Sequence, residues 1–277
     1  MIDPSKVCLF IPAGLKKFKL SLFERIGGYI VRQGGSVIRH DAAKLGELPS
    51  DVIPIVGCQP ESTDLIAQWR KSGRTWIYWD RGYCNRWFAT SLKKPDTIEN
   101  SSYRWHVNSF QMQTIASVPD DRWKALNQPI KPWAKGGRHI VIAAPSKTYE
   151  RFHRVESWIA DTIDALARVT DRQLVIRAKE HVLNRPLDRD LAGAHCLVTH
   201  ASNAAVEAVM MGCPVFVHPD SAAALVGKTD LKQIESPAYP ERQPWLNALA
   251  YSQWNEHELV DGTLWRMMGM ADARRAA

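Results

Sequence analysis

The sequence lacks the short motifs that would assign it to a common cofactor class. Its 277 residues contain no G-x-G-x-x-G, no P-loop, no H-E-x-x-H and no G-x-S-x-G. Nicotinamide redox chemistry, P-loop phosphate cleavage and zinc-dependent hydrolysis are therefore not the expectation. The nine histidines show no metal-ligand spacing, and no metal is expected. Cysteine is sparse: Cys8, Cys58, Cys84, Cys196 and Cys213 are scattered, odd in number and without a C-x-x-C. That pattern builds neither a disulfide framework nor a zinc site, and predicts reduced core residues of a cytosolic protein. No apolar run approaches the length of a membrane span. The opening Met1-Ile-Asp-Pro-Ser-Lys6 leads into an apolar stretch, Val7–Ile11, too short for a signal-sequence core. Heptads, low-complexity tracts and solenoid-period repeats are missing too. The expectation is a cytoplasmic protein with no membrane association.

What the chain does have is an ordinary apolar fraction, length for one large or two modest domains, and a formal charge of +7. The charge favours an anionic partner, and a nucleotide sugar, a nucleic acid or an anionic polysaccharide would each satisfy it. Apolar runs alternate with helical stretches. Val7–Ile11, 36–40, 51–57 and 75–80 read as strands, with helices predicted over 18–32 and 61–71 between them. Pro54 predicts that its strand is an edge or carries a bulge. The region 101–135 is less regular, and Pro119, Pro129 and Pro132 with Gly136-Gly137 read as a connector. A second series follows, with strands from His139 and Gln173 and a helix over 154–169. The β-α-β order predicts parallel sheets with helices on their faces. The expected architecture is α/β, two Rossmann-like domains facing a cleft: residues 1–133, then 138–245, with 246–277 a C-terminal helix packing back on the first domain.

The most informative stretch runs from Cys196 to Val217, CLVTHASNAAVEAVMMGCPVFV. It reads as a buried strand, a polar turn, a helix stopped by Gly212 and a second buried strand. Thr199, Ser202 and Asn203 fall where strand gives way to helix, and all are good caps for free first-turn amides. A helix start at the carboxyl end of a strand presents N–H groups and a partial positive charge, which suit a phosphate. Glu207 lies about one turn further on. The same stretch is also consistent with an ordinary α/β junction that has a good cap and no ligand.

This arrangement resembles the nucleotide-sugar-binding half of GT-B glycosyltransferases, in which a strand, a Ser/Thr-rich turn, a helix carrying Glu-Ala and then Gly-x-Pro-Val hold the nucleoside diphosphate. Sugar-nucleotide 2-epimerases share that pattern. The tail from Leu249 to Trp265 is similar to the end of capsule-type polysaccharide glycosyltransferases and related phage-encoded, DNA-modifying proteins. The resemblance implies a metal-independent transfer from a nucleotide sugar, UDP by default, with no cofactor beyond that donor. Donor contacts would come from Ser146, Lys147, Arg177, Lys179, Thr199, Ser202, Asn203 and Glu207. Arg177 and Lys179 alternate at a strand end, where cations would stabilise the departing diphosphate. Thr199 stands where the retaining subgroups carry an earlier glutamate, which leaves Glu207 alone for the ribose. His218-Pro-Asp220 ends the following strand, close to the donor or simply in a loop.

In the first half, Tyr78-Trp-Asp-Arg-Gly-Tyr83 closes a strand and aims Asp80 at the carboxyl edge, where doubly wound sheets bind ligands. Asp80 is the expected general base of an inverting transfer, and Asp41 the reserve. An ion pair or a turn cap is the competing role for Asp80. Arg81, Tyr83, Arg86 and Trp87 interleave basic and aromatic groups, as acceptor-binding surfaces do, while Trp76 and Trp79 read partly as core. Lys16, Lys17 and Lys19 form a solvated face or one side of an acceptor groove. The expected acceptor is a hydroxyl, first a hydroxymethyl-pyrimidine in phage DNA, which would place the protein in the host cytoplasm. A polysaccharide acceptor, an epimerase of the same fold and a non-catalytic DNA-binding protein are the alternatives.

Overall fold

The computed structural model describes residues 2–86, 97, 100–178 and 185–273, with side chains up to residue 268. Trp87 and Lys179, expected at the acceptor and donor, lie outside the described residues. In chain order the first elements are β1 (Val7–Ile11), α1 (Lys17–Arg32), β2 (Ser36–Arg39), α2 (Ala43–Gly46), β3 (Ile53–Val56), α3 (Thr63–Ser72), β4 (Ile77–Arg81) and β5 (Tyr103–Val107). Next come α4 (Asp121–Leu126), β6 (His139–Ala143), α5 (Lys147–His153), α6 (Trp158–Leu166), β7 (Gln173–Arg177), α7 (Leu187–Leu191), β8 (Ala194–Thr199), α8 (Ala204–Met210), β9 (Val215–Val217) and α9 (Gln243–Ala250). The chain ends with β10 (Gln253–Trp254), α10 (Glu256–Val260) and α11 (Thr263–Ala273). Among the described residues, no helix is long and apolar enough to cross a membrane.

The chain forms two compact units. One holds the described residues of Met1–Gly82, Thr97–Phe110 and Ser252–Ala277, the other those of Tyr83–Asp96 and Gln111–Tyr251. The passage into the second unit thus comes at Gln111, ahead of the proline-rich stretch that reads as a connector. That stretch belongs to the second unit because its backbone is tied there: Lys131 N–H donates to Met210 O (2.9 Å) and Ala134 N–H to Gly212 O (2.8 Å). Gly212 makes this approach possible. Its φ is +78°, and a Cβ there would lie 1.9 Å from Pro132 O.

The first unit is built on a six-stranded sheet of order β10-β5-β4-β3-β1-β2. β1 to β4 are mutually parallel, and β5 runs antiparallel to both β4 and β10. Leu22, Phe23, Ile26 and Ile30 repeat at helical spacing along α1 and bury against the sheet with Leu264 and Trp265 of α11. β3 is an interior strand rather than the edge that Pro54 suggested. β4 pairs with it only from Ile55 onward, so Pro54 sits where β3 has a single neighbour, β1.

The second unit holds a fully parallel sheet of order β7-β6-β8-β9. Alternate residues divide between two cores, as the two-residue period of a strand requires. Val141, Ala143, Leu197, Val215 and Val217 pack with α7, α8 and α9, while Ile140, Ile142, Cys196, Val198 and Phe216 pack with α6. Both sheet faces are covered, which is why these strands read as unbroken apolar runs. All five cysteines are free thiols; Cys8, Cys84, Cys196 and Cys213 are buried.

Candidate functional site

In the second unit the chain goes outward from β6 to β7 and then crosses to β8 on the other side. The loops after β6 and β8 therefore diverge, and a parallel sheet takes ligands at such a point, beyond the carboxyl ends of its strands. Hydrogen bonds hold the strand ends in a fixed row. Thr199 Oγ1 donates to Ala143 O (2.7 Å). Ala144 N–H donates to Arg177 O (3.0 Å), and His218 N–H to His200 O (2.8 Å). Gln111, itself buried, staples two of the loops: its Nε2 donates to Ala201 O (2.6 Å) and its Oε1 accepts from Ala222 N–H (2.9 Å).

Two serines cap the helices that leave this edge. Ser146 Oγ accepts from Tyr149 N–H (3.2 Å) at the start of α5, and Ser202 Oγ accepts from Ala204 N–H (3.3 Å) at the start of α8. Four rings gather beside them. His200 and His218 stack with centroids 4.2 Å apart and planes within 11°. The Tyr149 hydroxyl lies 3.0 Å from His200 Nδ1, and its ring stacks on His153 at 4.0 Å. His200 is buried; desolvation, and then the neighbouring His218, push its pKa down to about 4. His200 is thus neutral at physiological pH. The outer imidazole, His218, is exposed, and its Nδ1 accepts from Asp220 N–H (3.2 Å), so the proton of the neutral ring sits on Nε2.

Of the expected donor residues, Ser146, Lys147, Thr199, Ser202 and Asn203 all sit at this edge. Lys147 is 85 % exposed and reaches Glu150 (2.9 Å). Arg177 differs from an open strand-end cation. It is buried against Asp190, which also takes Arg185 (2.7 Å). Glu207, expected to meet a ribose, is buried in an ion pair with Arg86. Asn203 donates from Nδ2 to Tyr83 O (2.6 Å). Tyr83 is fully buried, and its hydroxyl accepts from Met112 N–H (2.7 Å). Tyr83 and Arg86, read from the sequence as acceptor contacts, therefore belong to the second unit and support the α8 start from behind. Sequence reasoning missed Tyr149, His153 and His200. The turn-like Ser146-Lys-Thr hid α5. His200, like His218, is the first residue after a buried strand, and that shared position was the signal to use.

In the first unit, Asp80 ends β4 and pairs across the sheet with Arg104 (2.8 Å), its register partner on β5. Its Oδ1 accepts from Arg81 N–H (2.7 Å). Asp80 retains 37 % side-chain exposure. Asp41 is exposed and lies 3.7 Å from Lys44. Trp76 and Trp79 are both core residues. Cys58 lies close to Asp80 and Tyr78, and desolvation lifts its thiol to about 12.

Two α/β units, each on a largely parallel sheet flanked by helices, place the chain in the Rossmann-like class of folds. Among solved structures the chain is similar to Thermosulfurimonas dismutans KpsC, beta Kdo 2,7 transferase, at 11 % identity and a TM-score of 0.48, over 93 % of this chain and 99 % of that one. It is also similar to Thermosulfurimonas dismutans KpsC, beta Kdo 2,4 transferase, at 13 % identity and a TM-score of 0.47, over 93 % of this chain and 97 % of that one. No protein family description and no curated protein matches the sequence.

Proposed function

We propose that the protein is a glycosyltransferase that holds a nucleotide-sugar donor at the carboxyl edge of the second unit's sheet. The observation that carries this reading is the convergence of the Ser146 and Ser202 hydroxyls with the neutral His200–His218 pair where the loops after β6 and β8 diverge. Hydroxyls, an imidazole N–H and helix-start amides are the donors a phosphorylated ligand needs. The sugar-nucleotide part of the reading comes from the resemblance of 196–217 to GT-B donor sites, with UDP as the default nucleotide. In this reading Lys147 and Lys179 face the leaving phosphate, so that no metal is required. Arg177 and Glu207 act from behind, through Asp190 and Arg86.

Asp80 is the proposed base, drawing the proton from the acceptor hydroxyl as that oxygen attacks the anomeric carbon and the nucleotide departs. Asp41 is the reserve. The +7 charge supports an anionic acceptor; a hydroxymethyl-pyrimidine in DNA, met in the cytoplasm, is the form we propose. The test is a thermal-shift screen of the full chain against UDP, GDP, CMP and TDP, followed by transfer assays on hydroxymethylated and plain oligonucleotides. A nucleotide that binds the folded state raises Tm at concentrations well above its Kd. If none of the four does so, the donor site is misassigned. Release of free nucleotide without any acceptor would favour an epimerase. Transfer to a polysaccharide but not to DNA would overturn the acceptor assignment alone.

A further inference from the structure

The carboxyl end of the first unit's sheet gathers positive charge around one poorly satisfied lysine. Lys19 lies in the first turn of α1 and is partly buried. Among the described residues its ammonium makes no hydrogen bond or ion pair, and its near neighbour is the ring of Trp79, with Nζ 5.6 Å from the centroid. That indole is 4 % exposed, stacks on Phe23 at 4.1 Å, and its Nε1 is buried without a hydrogen-bond partner. Trp79 and Arg81 alternate with Tyr78 and Asp80 along β4, so Arg81 emerges on the same sheet face as Trp79 and Lys19. Asp80 belongs to the opposite face and is held there by Arg104 (2.8 Å). The charges that act on Lys19 are Arg81 and Lys16, which oppose its own, and Asp80, which favours it; with burial, their net effect lowers its pKa.

Bringing like charges together in a partly desolvated place is unfavourable, and a cation–π contact at an accessible site returns only about 0.5–1 kcal/mol. An anion reverses the balance. It would meet an ammonium, a guanidinium and the amides of the α1 start, a helix of 16 residues, with an indole wall beside them. We propose that Lys19 and Arg81 form an anion subsite that takes a phosphate or carboxylate group carried by the acceptor. The assignment to an acceptor rests on the glycosyltransferase reading, whereas the anion subsite rests on the first unit alone.

The test uses the full chain and two probes, inorganic phosphate and acetate, titrated at constant ionic strength with sodium chloride. Tm and the Lys19 ammonium pKa, read by NMR of ε-13C-labelled lysine, are followed in wild type, Lys19→Met and Lys19→Arg. The expected result is that one or both probes raise Tm and the Lys19 pKa in wild type. Lys19→Met should raise the ligand-free Tm, because a like-charge contact is removed, yet bind the probe about tenfold or more weakly. Lys19→Arg should retain binding. Comparing the two probes separates a phosphate-bearing from a carboxylate-bearing acceptor. Saturating the second unit with the nucleotide found by thermal shift, and repeating the titration, separates this site from the donor site. Failure of every nucleotide with the Lys19 effects intact would sink the donor reading and leave the subsite standing. Equal probe affinity in wild type and Lys19→Met, with an unmoved Lys19 pKa, would overturn the subsite.

Discussion

The residue scale is where the candidate chemistry departs furthest from what the spacing suggested. A carboxylate one turn into a helix reads as a sugar ligand, yet Glu207 is buried against Arg86. Removing one partner of a buried pair leaves the other charge uncompensated, so Glu207→Gln should destabilise the fold by about 3–5 kcal/mol, measured by urea unfolding. Arg86→Met with Glu207→Leu should recover much of that loss, whereas a ligand-only role would leave stability unchanged in the single variant. His200 gives a pH signature. The unfolded chain takes up its proton near 6.5, the folded chain only near 4. Between those values the unfolded state binds more protons, so stability should fall as pH drops from about 6.5 to about 4. Tm measured across that range should fall less steeply in His200→Gln; identical slopes would show that His200 is not the titrating group. Asp80→Asn keeps an oxygen for Arg104 but removes the proton acceptor. Turnover should then fall by about 10²- to 10⁴-fold with nucleotide binding intact. Near-native turnover would move the assignment to Asp41.

At the scale of elements, the strands were legible and several helices were not. β1, β6, β7 and β8 are interior, apolar strands that no helix period fits, and they fall where the apolar runs predicted. β5 was hidden because Tyr103-Arg-Trp-His-Val mixes charge into a strand that is nonetheless buried, with Arg104 neutralised by Asp80 across the ladder. That pairing is a tertiary fact that no local window contains. The short α5 was hidden in the same way, its Ser146-Lys-Thr start read as a turn. The α8 stop was legible through Gly212, but the reason for the glycine was not: it is the close approach of Pro132 O, a residue far away in sequence. Gly212→Ala should therefore cost about 2–3 kcal/mol in chemical denaturation, more than the loss of backbone freedom alone explains. A variant as stable as wild type would mean that the 129–137 stretch is not pinned to the α8 end.

For the molecule as a whole, the alternation of strand and helix predicted parallel α/β units, and two such units are found, each with its own core. The exchange point was misread because prolines are common both in connectors and in stretches that run along a helix end, and composition does not tell the two apart. The central claim is that the second unit holds a nucleotide at the carboxyl edge of its sheet, beside the stacked imidazoles. Histidine-selective NMR of the full chain tests it most directly, because His200 and His218 lie at that edge while His40 and His257 belong to the first unit. Titration with the stabilising nucleotide should shift the His200 and His218 ring signals with one saturating curve and leave His40 and His257 unmoved. Saturable binding that leaves His200 and His218 in place, or that moves only the first unit's histidines, would contradict the account.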